Sequence, residues 1–176
     1  MVESQIPDFV ENGYLPPGYY PATLREYKNR FVTEFPESET RSTIFSDFIG
    51  YAGFLSTFKI TIEKWMGGSF TSAKLNPGDI DMVVLYDGLK YNGHPEQDEF
   101  DRFFLINNGY QILYHHTIYI PVYPETDRRY NITFAEVQRW KEFFSTDESE
   151  TIKRGLVILD TLSEEYKMTL LEEVSQ

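Results

Sequence analysis

Two short motifs stand close together in this chain: Gly68-Ser69, and Asp79-Ile80-Asp81. A glycine carries no side chain, so backbone N–H groups beside it can approach a phosphate closely. Ser69 adds a hydroxyl donor to the same oxygen, and a helical turn starting there would aim its positive end at the anion. Asp79 and Asp81 are two apart at the start of a strand, where residues i and i+2 share a face. Adjacent carboxylates repel unless a cation lies between them. Hard oxygen ligands suit Mg²⁺, which often uses one or two carboxylates with substrate phosphates completing the shell. Alone, each motif is common: Gly-Ser pairs abound, and Asp-x-Asp at a strand edge is most often a solvated turn. Their order within one stretch is more specific: strand, Gly-Ser, short loop, Asp-x-Asp, apolar strand. Lys74, in the loop between the motifs, is a candidate phosphate contact, although a flexible surface lysine is its default role.

The elements that must hold these groups can be read from periodicity. Phe58, Ile60 and Ile62 alternate with Lys59, Thr61 and Glu63, which predicts a half-buried strand ending at Trp65-Met66 and broken by Gly67-Gly68. Trp65 reads as core. Ile80 to Tyr86 predicts a second strand, buried on both faces through Met82-Val83-Val84-Leu85. Before these, Leu15 to Pro21 is too rich in proline for a helix and reads as an extended lead-in, spanning residues 1–22 and packed by its tyrosines. Thr23 to Glu26 forms a capping box opening a short helix to about Thr33, and Pro36 prevents its continuation. Ile44, Phe45, Phe48, Ile49, Ala52 and Leu55 place a longer helix over Ser42 to Thr57.

Further along, Asp98 caps a helix through Ile106 with Phe100, Phe103 and Phe104 inward. Leu113 to Tyr123 is a third strand, stopped by Pro124. Thr133 to Glu136 reads as a second capping box, opening a helix to about Ser145. The acidic run Thr146 to Glu150 reads as an exposed loop, and Gly155 to Asp160 as a last strand. Ser163 caps an amphipathic terminal helix carrying Tyr166, Leu170, Leu171 and Val174. The expected organisation is an α/β (α+β) domain over residues 23–162, a mixed sheet flanked by helices, with residues 163–176 as a C-terminal helix. That helix serves intramolecular packing or binds a partner. His115 and His116 are adjacent on a strand and so face opposite sides. Arg128-Arg129 follow that strand, as a solvated turn or as a phosphate contact.

Composition bounds the partners. With 176 residues, 41% of them hydrophobic, the chain suits one compact domain. Its 14 Phe and 13 Tyr predict a core built on rings, since a base-stacking surface needs a basic groove beside it. The 28 acidic and 16 basic residues give a net charge of -12, which argues against a long nucleic acid and for a mononucleotide or a protein partner. Cysteine is absent; no disulfide, thiolate zinc site or cysteine nucleophile is available, as suits a reducing compartment. The N-terminus has neither basic nor apolar region of a signal peptide, and no apolar run approaches the roughly 20 residues that span a bilayer. A cytoplasmic location is expected.

The stretch from Gly68-Ser69 to Asp81 resembles the DNA polymerase beta-like nucleotidyltransferase superfamily, which includes minimal members acting as antitoxins. Leu15-Pro16-Pro17-Gly18, Ala22-Thr23, Gly68-Ser69-Phe70, Pro77-Gly78-Asp79-Ile80-Asp81 and Ile120-Pro121-Val122-Tyr123-Pro124 together resemble a small bacterial family of nucleotidyltransferase-like proteins. The resemblance spans roughly Leu15 to Asp160 and implies a nucleotidyltransferase-like fold. It implies that Asp79 and Asp81 hold one or two Mg²⁺ ions and that Gly68 and Ser69 grip the triphosphate of a nucleotide such as ATP. The ions would bridge phosphate oxygens and activate an attacking hydroxyl. The superfamily places a third carboxylate on the later strand. Here that position falls on His116, an imidazole that can take a proton but is a poorer Mg²⁺ ligand. Glu63 and Glu125 are the candidate substitutes. Two functions follow. One is a Mg²⁺-dependent transfer of a nucleoside monophosphate from a triphosphate to an acceptor hydroxyl, on a protein or a small molecule. The other is a catalytically degenerate nucleotide sensor or protein-binding module of the toxin–antitoxin or phage-defence type.

Overall fold

A computed structural model describes residues 6–101, 114–146 and 151–175. The core element is a five-stranded mixed sheet. Its strands are β1 (Gly18–Ala22), β2 (Thr61–Gly67), β3 (Ile80–Asp87), β4 (His115–Val122) and β5 (Gly155–Asp160), in the spatial order β1-β5-β2-β3-β4. β2 runs antiparallel to both β3 and β5, while β1 is parallel to β5 and β4 is parallel to β3. Both edge strands contain a proline, Pro21 and Pro121, which interrupts the row of donors that an edge would otherwise offer to another chain.

Helices cover both faces, so the architecture is α+β, as the alternation of periods predicts. The helices are α1 (Leu24–Lys28), α2 (Arg41–Thr57), α3 (Gly88–Asn92), α4 (Gln97–Asp101), α5 (Tyr130–Phe144) and α6 (Glu164–Val174). Phe48 and Leu55 of α2, Tyr27 of α1 and Leu170 of α6 join Met66, Met82, Val84, Val157 and Leu159 of the sheet in the larger core. On the other face Trp65, Val83, Leu85, Ile120 and Leu156 pack with Phe144 at the end of α5. Trp65 is therefore core, and its indole N–H donates to the Glu63 carboxylate. Among the described residues no helix is long and apolar enough to cross a membrane.

Several boundaries depart from the sequence reading. The lead-in is extended, but its last part is strand β1, paired from Gly18 with Gly155 to Ala22 with Leu159. The strand expected from Phe58 begins instead at Thr61. A bulge between Thr61 and Glu63 changes the alternation, so Lys64 and Met66 bury on one face and Trp65 on the other. The Thr23 box forms, with Thr23 accepting from the Glu26 amide and Glu26 accepting from the Thr23 amide, and α1 runs on as a π-helical turn over Asn29–Thr33. The box at Thr133 does not. α5 has already begun at Tyr130, and the Thr133 hydroxyl donates back to the carbonyls of Arg129 and Tyr130. α6 is capped by Ser163 as expected and packs through Tyr166 and Leu170, but Leu171 and Val174 are exposed. Ion pairs Glu173–Lys28 and Glu172–Arg25 tie α6 to α1. The expectations for Phe103, Phe104, Ile106, Leu113 and Asp147 to Glu150 lie outside the described residues.

Candidate functional site

The site is assembled by strand register. Gly67, the last residue of β2, pairs with Asp81 at the start of β3, and Asp81 pairs with His116 near the start of β4. Three strands thus bring the Gly-Ser turn, the two aspartates and the histidine to one end of the sheet. Asp81 shares its face with Val83 and Leu85, and His116 shares its face with Ile118 and Ile120, so both sit on the α5 side. Asp79 lies in the turn before β3. His116 Nδ1 is 3.3 Å from Asp79 Oδ2 and 3.5 Å from Asp81 Oδ1. One ligating atom from each of Asp79, Asp81 and His116 lies within 4.8 Å of the others, so the trio can hold a metal ion.

The surroundings are unequal. The aspartate side chains are about one-third exposed, at 34% and 33%, whereas His116 is 80% exposed. Burial pushes the Asp81 carboxyl above the usual carboxylate range, and the Asp79 charge adds to this; His116 and Arg154 oppose it. A cation between the carboxylates would relieve the same strain. Gly68 makes the geometry possible. With φ at +69° and ψ at -159°, it occupies backbone space that only glycine adopts readily. A Cβ added there would stand 1.8 Å from Asp81 Oδ2. The bare Cα of Gly68 is therefore what lets the Asp81 carboxylate take its place.

A cleft of about 830 Å³ opens in front of these groups. Gly68, Ser69 and Lys74 line it beside Asp79 and Asp81, as do Tyr14 and Arg154. Lys74 is exposed there. Ser69 opens a three-residue 3-10 turn, Ser69–Thr71. The lead-in forms one wall: Tyr14 bridges to Ser72, and the Ala73 amide donates to Gly13 O at 2.7 Å. Arg154 is held by its Nε donating to Phe144 O at 3.1 Å, and its charge reaches Asp81.

Residues 7–160 match the family model DUF6932, described as a family of unknown function. The chain belongs to the DUF6932 family. No curated protein and no solved structure matches it. In this DUF6932 chain the remaining sequence candidates divide clearly. His115 faces away from His116, is buried against the Tyr51 ring at 4.2 Å, and is held by burial, then by the His116 charge, down to about 4. Glu63 pairs with Leu85, four residues along the strands from the Gly67–Asp81 pair, or about 13 Å away. Glu125 follows β4 at the opposite end of the sheet. Neither comes within reach of Asp79 and Asp81. Arg129 is at that far end too, paired with Asp127 at 2.8 Å and stacked on Tyr123, while Arg128 is exposed in the same turn. Sequence reasoning did not single out Tyr14 or Arg154, because each reaches the cleft only through long-range contacts: Tyr14 by its bridge to Ser72, and Arg154 by the Phe144 carbonyl and the strand β5 that follows it.

Proposed function

We propose that this chain is a divalent-metal-dependent nucleotidyltransferase, moving a nucleoside monophosphate from a triphosphate to an acceptor hydroxyl. The observation that carries the reading is the convergence of Asp79, Asp81 and His116 at one sheet end, with the two aspartates lining the same cleft as Gly68 and Ser69. The donor set fits a cation: two neighbouring carboxylates, with Asp81 raised by burial and then by the Asp79 charge, an imidazole nitrogen, and a glycine whose missing side chain leaves room for Asp81. Mg²⁺ suits the two carboxylates, and the nitrogen donor extends the set to Mn²⁺. When bound, the ion would supply charge to phosphate oxygens and to an attacking hydroxyl. Ser69 and Lys74 would hold the phosphates on the opposite wall. His116 has one ring lone pair when neutral. If Nδ1 serves as the third ligand, Nε2 carries the ring proton and His116 cannot also be a base.

The second reading, a degenerate sensor that binds a nucleotide without turning it over, is favoured by one observation. Among the described residues the third group in reach of the aspartates is an exposed imidazole rather than an acid. One experiment separates the two. Each nucleoside triphosphate is titrated calorimetrically with and without Mg²⁺ or Mn²⁺, and pyrophosphate release is followed in parallel. Metal-dependent binding with release supports the transferase; binding without release supports the sensor. A chain that binds no triphosphate in either metal would sink both.

A further inference from the structure

Arg41, the first residue of α2, is 1% exposed and has a guanidinium with every donor in use. Nη1 donates to Phe31 O at 2.8 Å and Phe70 O at 2.7 Å. Nη2 donates to Ser72 O at 2.8 Å and Lys74 O at 2.6 Å, and Nε to Leu75 O at 3.3 Å. Four of these five carbonyls belong to the loop between the Gly-Ser turn and the aspartates. The guanidinium also lies 3.9 Å from the Phe35 ring centroid and 5.0 Å from that of Phe70. Burial lowers its pKa only to about 10, so it is charged at neutral pH. Tyr27, itself a neutral phenol held well above its usual range by burial, acts on Arg41 and also feels the Asp81 charge; among the described residues no carboxylate forms an ion pair with Arg41.

A loop that needed only to be tethered could use neutral donors. A buried charge is costly unless something opposite stands near it. The carbonyls solvate the charge of Arg41 without neutralising it. In a trans peptide the C=O points opposite to the following N–H. The amides after Phe70, Ser72 and Lys74 are therefore turned away from the guanidinium. The Ala73 amide meets Gly13 O, and both residues line the cleft. The loop thus lines the cleft with Ser69, Ser72 and Lys74, and the Arg41 charge, held by the carbonyls of that same loop, lies behind them.

We infer that Arg41 is the positioning residue and buried countercharge of an oxyanion site on the Ser69–Leu75 loop, one that takes a phosphate or diphosphate group. The inference builds on the proposed triphosphate cleft but is separable from its metal. The test uses the full chain. Pyrophosphate without metal and Mn²⁺ without phosphate are titrated separately into the parent, Arg41→Lys and Arg41→Met. Arg41→Lys keeps the charge and loses the fork; Arg41→Met loses both. Pyrophosphate affinity should fall about tenfold or more in Arg41→Met, as expected for losing a charge-assisted contact, and less in Arg41→Lys. Mn²⁺ affinity should stay level or rise in Arg41→Met, because a positive charge near the cation has gone. Loop disorder alone would weaken both ligands together, and that outcome, or unchanged pyrophosphate affinity, overturns the inference. Where a variant does not fold, the parent decides. Its Arg41 Nε–H resonance should shift as pyrophosphate saturates, and a stationary resonance overturns the inference. A parent that binds Mn²⁺ but no pyrophosphate refutes the loop site and leaves the metal reading standing. A parent that binds pyrophosphate but no metal does the reverse.

Discussion

Position 68 has no room for a side chain, because the Asp81 carboxylate already occupies the space a Cβ would take. Gly68→Ala should lose about 1–2 kcal/mol of stability from the backbone conformation alone, seen as a lower melting temperature. It should also weaken Mn²⁺ binding by roughly tenfold, by displacing a ligand. Unchanged Mn²⁺ affinity would show that Asp81 is not a ligand. The double substitution Asp79→Asn with Asp81→Asn should behave differently: metal-dependent triphosphate binding is abolished, but stability without metal is equal or higher. The sign follows from Asp81, whose carboxyl is raised in the folded chain, first by burial and then by Asp79. A raised group contributes stability that is fully present below its unfolded pKa and lost as pH rises through the folded one. The parent's metal-free stability should therefore fall over that rise, and the double mutant's should fall less. Melting curves across the acid range measure the difference.

Between elements, the most informative contact joins β2 to α6. Lys64 is fully buried, donates to the Tyr166 hydroxyl at 2.9 Å, and is lowered to about 7 by burial. A depressed group contributes stability that is present above its unfolded pKa and lost as pH falls through the folded one. The parent should thus lose stability as pH drops from about 10.5 toward 7. Lys64→Met should flatten that slope and gain stability at neutral pH; a parent and mutant with parallel curves would show that Lys64 is solvated. A lysine in the middle of a strand gave no such signal in the sequence, because the bulge after Thr61 decides which face it takes. β3 was legible because a strand buried on both faces is apolar throughout. α2 was legible because its inward residues recur at helical spacing. β1 was not, since five residues with a proline become a strand only by pairing with β5 near the other end of the chain. The site divides in the same way. Asp81 and the opposed histidines follow from local alternation, whereas Asp79, expected on the strand, sits in the turn before β3. Arg41 and Arg154 act through carbonyls and walls that only the assembled chain supplies.

For the molecule as a whole, a net charge of -12 on 176 residues should keep long polyanions away. A duplex of DNA or RNA should show no retardation with this chain at about 100 mM salt, and a shifted band would put the mononucleotide reading in question. The candidate metal site draws on three strands, with Gly67 beside Asp81 and Asp81 beside His116. Joining β2 to β3 is a local event, whereas the parallel pairing of β3 with β4 must close the whole connection from Asp87 to His115. Such non-local pairing forms slowly. The cation site is then complete only once β4 has docked, and no partly folded state with β4 undocked can bind the ion at full strength. A bound ion would stabilise the finished state by mass action, by about 2.7 kcal/mol at a hundredfold excess over Kd. It would do so mainly by slowing unfolding, leaving the folding rate almost untouched. Metal would act here as a latch closed after the chain has folded, not as a seed around which it folds.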